Sequence, residues 1–343
     1  MKILLLPLLV LLLLTACEHK ELCYHHPHTA RVKVNVDWSQ FDKETPTGMT
    51  VMVYPQSGGT ALCHLSGTIS HAYLDLEAGL YNTIVFNQSD MEFGSVSFRG
   101  MDRYETAEVR LNNVESRWYE CRSTIEKLGA QPEWVGTDCY TDALVTPEMV
   151  EITGQELIDN ASRGSRVNTE FVIAEHTPLN IIHQIFVKVH FNNIYNLRSA
   201  RASLNGLAEG YMFADGKATE ATVTQLLESW KLTVDDEDPT KGYITTCITS
   251  MGLPSNHSGV AEDNEFVLSA LLVDEKTVID FPFSVGDKIV KRYDENNNYL
   301  LEFELELWVD DPLPDVKPVD SGKGGFDAIV DDWGEEQNID LGL

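Results

Sequence analysis

Apolar and polar residues alternate along much of this chain. Val32, Val34, Val36 and Trp38 are separated by Lys33, Asn35 and Asp37, the period-2 pattern of a strand with one buried face. Met49 to Tyr54 predicts a second strand, closed by Pro55 and the turn residues Ser57-Gly58-Gly59. Leu62 to Leu65 predicts a third. Two apolar runs then flank a turn containing Gly79, and Ser95 to Arg99 and Ala107 to Leu111 read as further strands, whereas Gly136 to Leu144 is of mixed polarity. In the second half the same pattern covers Ile185 to Phe191, Ala200 to Leu207, and Tyr211 to Ala214 after Gly210. It is clearest from Tyr299 to Val309, where Leu301, Phe303, Leu305, Leu307 and Val309 oppose Glu302, Glu304 and Glu306. That row of glutamates reads as the wet face of an antiparallel sheet. The expectation is an all-β fold with a few short helices.

Helical signals are sparse. Thr146-Pro147, and again Thr153 with Glu156, mark helix starts within Val145 to Ala161, and Ser162 to Arg166 reads as an exposed turn. Between Val114 and Gly129, Trp118, Tyr119, Ile125 and Leu128 fit one face of a short helix, without deciding for it. Asp235 to Pro239 is an acidic loop, and Asp294 to Asn298 is a hairpin loop by composition.

The first residues follow a different rule. Lys2 precedes an uncharged, leucine-rich run from Ile3 to Leu14, shorter than the roughly 20 residues a membrane-spanning helix needs. Residues 1–16 are therefore expected to be a secretory signal peptide. Leu14-Thr15-Ala16-Cys17 resembles a bacterial lipobox, which implies cleavage before Cys17 and acylation of its thiol and amino group. Each buried methylene contributes about 0.8 kcal/mol, so several acyl chains, palmitate among them, suffice for a stable anchor. Residues 17–28 then form a lipidated, histidine-rich tether.

Composition narrows the class. With 43% hydrophobic and 23% charged residues the body is globular, and 343 residues suggest two domains, at about 100–200 residues each. We place them at residues 29–175 and 176–343. The net charge of −29 repels phosphate backbones, so nucleic acid is excluded as a partner. Beyond Cys17, the chain has Cys23, Cys63, Cys121, Cys139 and Cys247, an odd set without C-x-x-C spacing. Cys121 with Cys139 is one candidate bridge, and buried free thiols are the alternative.

Candidate chemistry is thin. Cys23, His25, His26 and His28 cluster in sequence, but their spacing matches no closed metal site and Pro27 breaks any helix that would align them. The acidic loops offer oxygen ligands that calcium accepts, without the pattern of an EF-hand. No H-E-x-x-H, G-x-S-x-G or phosphate-loop spacing is present, and His64, His71, His176, His183, His190 and His257 are isolated. The reading assigns no catalytic residue, no metal and no cofactor, and leaves the ligand-binding residues unassigned.

A resemblance adds to this. The stretch Ala72-Tyr73-Leu74-Asp75-Leu76-Glu77-Ala78-Gly79-Leu80-Tyr81 through Val85-Phe86-Asn87 is similar to the first domain of fimbrillin-like lipoproteins of Bacteroidales. Leu204-Asn205-Gly206-Leu207-Ala208-Glu209-Gly210 looks like their second domain, and Gly324-Gly325-Phe326 followed by Val330-Asp331-Asp332-Trp333 like their closing strand. Cys17-Glu18-His19-Lys20-Glu21-Leu22-Cys23 resembles the opening of anchor-type members and of a related uncharacterised lipoprotein family, and Lys20-Glu21 resembles a signal for the outer face of the outer membrane. The resemblance implies two tandem transthyretin-like β-sandwich domains and a non-enzymatic, lipid-anchored surface protein. Its role is then a structural or adhesive subunit, tip or anchor of a fimbria-like assembly, joined to other subunits by strand exchange. The strand beginning at Arg31, with Lys43 beyond it, is the one to be displaced. The alternative is a monomeric surface lipoprotein that binds glycan or peptide on Trp118, Trp134, Trp230 and Trp333.

Overall fold

The computed structural model describes residues 28–163 and 169–319. The signal peptide, Cys17, the tether up to Pro27 and the closing segment with Trp333 lie outside the described residues. Two compact units emerge. Unit one takes the described parts of Met1–Val109 with Trp134–Ile181 and Met212–Gly216, and unit two takes Arg110–Glu133, Ile182–Tyr211 and the described part of Lys217–Leu343.

Unit one is a two-layer sandwich. Its smaller sheet has β1 (Ala30–Val36) between β4 (His71–Leu76) and β9 (Phe171–His176). The larger sheet runs β10 (Leu179–Asn180), β8 (Gly136–Val145), β5 (Gly79–Asn87), β2 (Met49–Pro55), β3 (Leu62–Ser66). One apolar core joins both layers: Val32 and Val34 of β1 and Leu74 of β4 meet Val51 of β2, Val85 of β5 and Val145 of β8. Period-2 patterning puts these residues on facing sides. The strand expected to reach Trp38 stops at Val36, because the Asp37 carboxylate accepts from Ser39 N at 2.9 Å and opens a 3-10 turn over Trp38–Gln40.

The central strands β2 and β5 of the larger sheet are buried on both faces. Opposite the core, Phe86 stacks on Phe98 with ring centroids 4.5 Å apart, and Phe93 and Phe213 complete the cluster. Mixed polarity in Gly136 to Leu144 resolves into β8, whose pairing with β5 is bulged between Tyr81 and Thr83.

The turn at Gly79 has a local cause. The Tyr81 hydroxyl donates to Glu77 O at 2.9 Å, and the ring lies 3.7 Å from where a Cβ on Gly79 would sit. A Cβ there would make only ordinary contact with the ring, so it is the tyrosine clamp that fixes the turn. The single helix among the described residues, α1 (Pro147–Arg163), starts at the first of the two signals: Thr146 Oγ1 accepts from Met149 N at 3.2 Å, with Pro147 in the first helical position. Thr153 lies inside the helix, is 3% exposed, and accepts instead from Arg31 N at 3.3 Å. Ser162 and Arg163 close α1 rather than opening a turn.

Unit two also contains two larger sheets. One runs β16 (Lys231–Val234), β17 (Lys241–Ser250), β11 (His183–Asn192), β21 (Tyr299–Trp308), β20 (Val290–Tyr293). The other runs β15 (Thr222–Leu227), β12 (Leu197–Ala208), β18 (Glu265–Leu272), β19 (Val278–Ser284). Of four further short strands, β6 (Val96–Arg99) belongs to unit one and β14 (Lys217–Ala218) to unit two, while β7 (Glu108–Leu111) and β13 (Gly210–Met212) have residues in each. Ile185, Val187 and Val189 of β11 and Phe303, Leu305 and Leu307 of β21 are buried, while Glu304 is exposed and Glu302 and Glu306 are half-buried in ion pairs with Arg292 and Lys188.

Leu204-Asn205-Gly206-Leu207 is a bulge, with a register shift against β15 between Leu204 and Leu207 and Gly206 at φ +75°. Between Val114 and Gly129 there is no helix: Ile125 is 86% exposed, Leu128 is buried, and the segment is irregular. Its polar groups are satisfied individually, for example by the Tyr119 hydroxyl donating to Glu126 at 2.7 Å. The all-β expectation holds.

Candidate assembly interface

The strand expected to take part in exchange is β1, and both of its edges are occupied. It pairs antiparallel with β4, Val32 opposite Leu74, and parallel with β9, Val32 opposite Phe171. Ala30, Val32, Val34 and Val36 are 0–6% exposed, and Met149 and Val150 of α1 pack on the same core. Its polar positions are held as well. Lys33 Nζ lies 2.9 Å from Glu170 Oε2, the Tyr73 hydroxyl donates to the same carboxylate, and Arg31 lies over the Tyr73 ring at 5.5 Å. The hydrogen bonds from Lys33 and Tyr73 hold the Glu170 carboxyl below its usual range.

At the far end Asp37 N donates to His176 O at 2.8 Å. The buried His176 ring spans Asp138 and Thr83, with Nδ1 3.1 Å from Asp138 Oδ2 and Nε2 2.9 Å from Thr83 Oγ1. Burial works against ionisation of Asp138, yet hydrogen bonds from His176 and from Thr177 N keep its carboxyl below the ordinary aspartate value. The groove that β1 fills is therefore apolar on its floor and hydrogen-bonding on both walls. Such a groove selects a strand with small apolar residues at alternate positions.

Other strand edges are open. β3 ends the larger sheet of unit one with Leu62 42% and Leu65 59% exposed. In unit two β16 is terminal, with Leu232 and Val234 exposed, and β20 is terminal, with Val290 exposed. An exposed edge with apolar side chains is a template for another strand.

The tryptophans divide. Trp118 donates to Glu228 and carries Arg201 over its ring at 5.5 Å. Trp134 is half-buried under Lys43 Nζ at 4.5 Å. Trp230 donates to Leu227 O at 3.1 Å and lines a cleft of about 480 Å³ with Phe186 and Cys247. The one that sequence reasoning passed over is Trp308, 58% exposed and stacked on His190 at 4.9 Å with ring planes 2° apart. Its signal was in the pattern, because it continues the wet positions Glu302, Glu304 and Glu306.

In each acidic loop the first aspartate turns its carboxylate inward. Asp235 accepts from Glu237 N at 2.8 Å and Asp238 N at 3.2 Å, and Asp294 from Asn296 N at 2.8 Å and Asn298 N at 2.7 Å. Oxygens that stabilise their own turns are poorly placed to converge on a cation. Cys63, Cys121, Cys139 and Cys247 are free thiols, so the Cys121–Cys139 bridge is not formed. Burial, with Asp138 nearby, pushes the Cys139 thiol up to about 12.

Residues 16–228 match the family model described as a domain of unknown function, DUF5119. A protein of Bacteroides ovatus, provisionally named the fimbrium anchoring subunit Fim4B, is 22% identical over 348 residues, covering 96% of this chain and 95% of the relative. A crystal structure of a B. ovatus protein provisionally named an adhesin superposes with a TM-score of 0.52 at 13% identity, over 88% of this chain and 99% of that one. The fimbrial anchor protein Mfa2 of Porphyromonas gingivalis gives 0.47 at 14% identity, over 82% and 90%. The resemblance drawn from the residues is borne out, since the relative matched end to end in sequence is named for a fimbrium anchoring subunit of a Bacteroides species.

Proposed function

The chain belongs to the DUF5119 family, and from that premise we propose that it is a cell-surface lipoprotein acting as a structural or adhesive component of a fimbria-like assembly, as subunit, tip or anchor. The observation that carries this reading is the end-to-end match to the relative named as a fimbrium anchoring subunit. Fold alone does not fix function. The mechanism of assembly that we propose is strand exchange. A neighbouring subunit contributes a strand that either replaces β1, whose groove offers two hydrogen-bonding walls and an apolar floor, or adds to an open edge such as β3.

Acyl chains on Cys17 hold the mature chain in the outer membrane, facing outward, and residues 17–28 keep the body clear of the lipid. The domains 29–175 and 176–343 are kept as the outline of the two sandwiches, while by contacts Arg110–Glu133 groups with unit two, and the segment up to Ile181 and Met212–Gly216 group with unit one. The protein works by binding and not by catalysis.

Extraction of membranes, followed by electrophoresis with and without boiling, compares the wild type with Cys17→Ala. The expected result is a heavy, boiling-sensitive species retained with the outer membrane only when Cys17 is present. A wild-type protein that is anchored but always monomeric would overturn the assembly reading, and one that stays in the membrane without Cys17 would overturn the anchor.

A further inference from the structure

Unit two leaves part of one strand edge unpaired beside an exposed tryptophan. On one side β21 runs with β11, from Gln184 opposite Glu302 to His190 opposite Trp308. On the other side β20 pairs only as far as Val290 opposite Glu304. Before Val290 the chain turns away, Lys288 N donating to Val285 O at 2.8 Å, and Val285 and Gly286 bonding instead to Asn264 and Ala261. Residues 305–308 therefore have no strand on that side among the described residues. Main-chain groups alternate in direction along a strand. Since Val309 N donates to His190 O at 3.0 Å, Leu305 and Leu307 also turn theirs to β11, and Glu306 and Trp308 turn theirs to the open side.

Trp308 stands over this edge. It is 58% exposed, and its ring is stacked on His190 with centroids 4.9 Å apart and planes 2° apart. His190 is braced in turn, with Nε2 2.7 Å from Glu306 Oε1 and the Tyr243 ring of β17 at 5.6 Å on its other side. Lys188 lies 3.0 Å from the same carboxylate and 4.5 Å over the Tyr243 ring. One face of the indole is backed by this row, and the other looks across the edge that β20 leaves free.

Charge sets what fits there. Other rings are covered by cations of the chain itself, Lys43 on Trp134 at 4.5 Å, Arg201 on Trp118 at 5.5 Å and Lys188 on Tyr243. Among the described residues no cation lies over Trp308. Glu304 on the same wet face, and Asp310 and Asp311 just beyond the strand, are exposed and make no ion pair among the described residues. An indole face attracts a cation, and free carboxylates beside it add to that attraction in a chain of net charge −29. Unpaired main-chain groups call for an extended segment.

We infer that this edge receives an extended basic segment of a neighbouring subunit, which adds to β21 beyond β20. Its main chain pairs with Glu306 and Trp308, and a lysine or arginine lies over the free face of the indole. The inference rests on the assembly reading for the source of the segment. An acidic segment is opposed by Glu304, Asp310 and Asp311, and a glycan would leave the main-chain edge unmet.

The experiment titrates the detergent-solubilised full chain with short threonine-rich peptides that carry a central arginine, and with matched peptides carrying glutamine or glutamate in its place. Hydrogen exchange is followed at the amides of Glu306 and Trp308. The expected result is saturable binding of the arginine peptide, weaker for glutamine and absent for glutamate, with both amides fast in the free chain and slowed by the peptide. Trp308→Ala weakens binding about tenfold, which corresponds to 1.4 kcal/mol, and the chain stays folded because the side chain lies at the surface. Glu304→Gln weakens it less, and Leu62→Ser on β3 leaves it unchanged. Folded wild type that binds no arginine peptide, equal binding of the glutamate peptide, or unchanged binding by Trp308→Ala would each overturn the site. Amides that are slow before any peptide is added would overturn it too, by giving the edge to residues 320–343 or to a second copy. A chain that forms no heavy species on membranes yet binds the peptide loses the subunit as source and keeps the site. One that assembles without binding the peptide keeps the assembly reading and loses the site.

Discussion

His176, only 1% exposed, and Asp138 are joined through Nδ1 and Oδ2 at 3.1 Å, tying β9 to β8 across the two sheets of unit one. The Asp138 carboxyl is held below its ordinary value, with burial opposed by hydrogen bonds from His176 and Thr177 N. A carboxylate of this kind contributes stability above the unfolded aspartate pKa, about 3.9, and loses it as pH falls through the lower folded value. Asp138→Asn is expected to cost about 1–3 kcal/mol at pH 7, with the gap to wild type closing below about pH 4. Urea denaturation across that range checks it, and a gap independent of pH would rule out a role for the charge.

The burial of β1 makes a second prediction. Val34 is 0% exposed between two ladders, so Val34→Ala should cost about 2 kcal/mol, at about 0.8 kcal/mol for each buried methylene-sized group. By hydrogen exchange the amides of β1 should open only with unit one as a whole. Early exchange confined to β1 would instead mark it as a strand already loose enough to be displaced.

Gly206 tests the bulge. Its φ is +75°, and a Cβ there would lie 2.3 Å from the backbone oxygen of Asp263. Gly206→Ala is expected to cost about 2–4 kcal/mol by strain and overlap. Gly259 has a similar φ of +74° with open space around it, and Gly259→Ala should cost only the conformational part, about 1–2 kcal/mol. Paired melting curves separate the two, and equal costs would show that the contact with Asp263 is relieved by movement.

Glu209 is a buried charge in unit two, 3% exposed, and receives Arg110 and Lys127, the latter at 2.7 Å. Burial opposes its ionisation, but the two cations hold the carboxyl below its usual range. Glu209→Ala removes the buried carboxylate that Arg110 and Lys127 share and should cost about 3 kcal/mol. Adding Arg110→Met should recover part of that loss. A double variant no better than the single one would assign the cost to packing.

Local rules explain what was legible. Alternation announced β1, β2, β11 and β21 because a residue two places along a strand returns to the same face. Thr146-Pro147 announced α1 because a cap acts on its own first turn. The same rules misplaced Trp38, whose strand is ended by the neighbouring Asp37, and suggested a helix near Trp118, where contacts with Glu228 and Arg201, more than 80 residues away in sequence, hold an irregular path. The tryptophans show the limit most clearly: Trp134 and Trp308 are alike as letters, yet one lies under Lys43 and the other stands open on a sheet.

By itself the sequence determined the all-β class, the spacing of strands and turns, and the acidic surface, since each depends on residues within a few positions or on composition alone. Tertiary structure alone decided which strand fills the core groove, which carboxylates are consumed by their own loops, and which indole is left uncovered. Those depend on pairings between distant segments, such as Val34 with Ala72 and Ala174 or His190 with Trp308. Their free energy comes from burial and hydrogen-bond satisfaction, and neither exists until the sheets have closed.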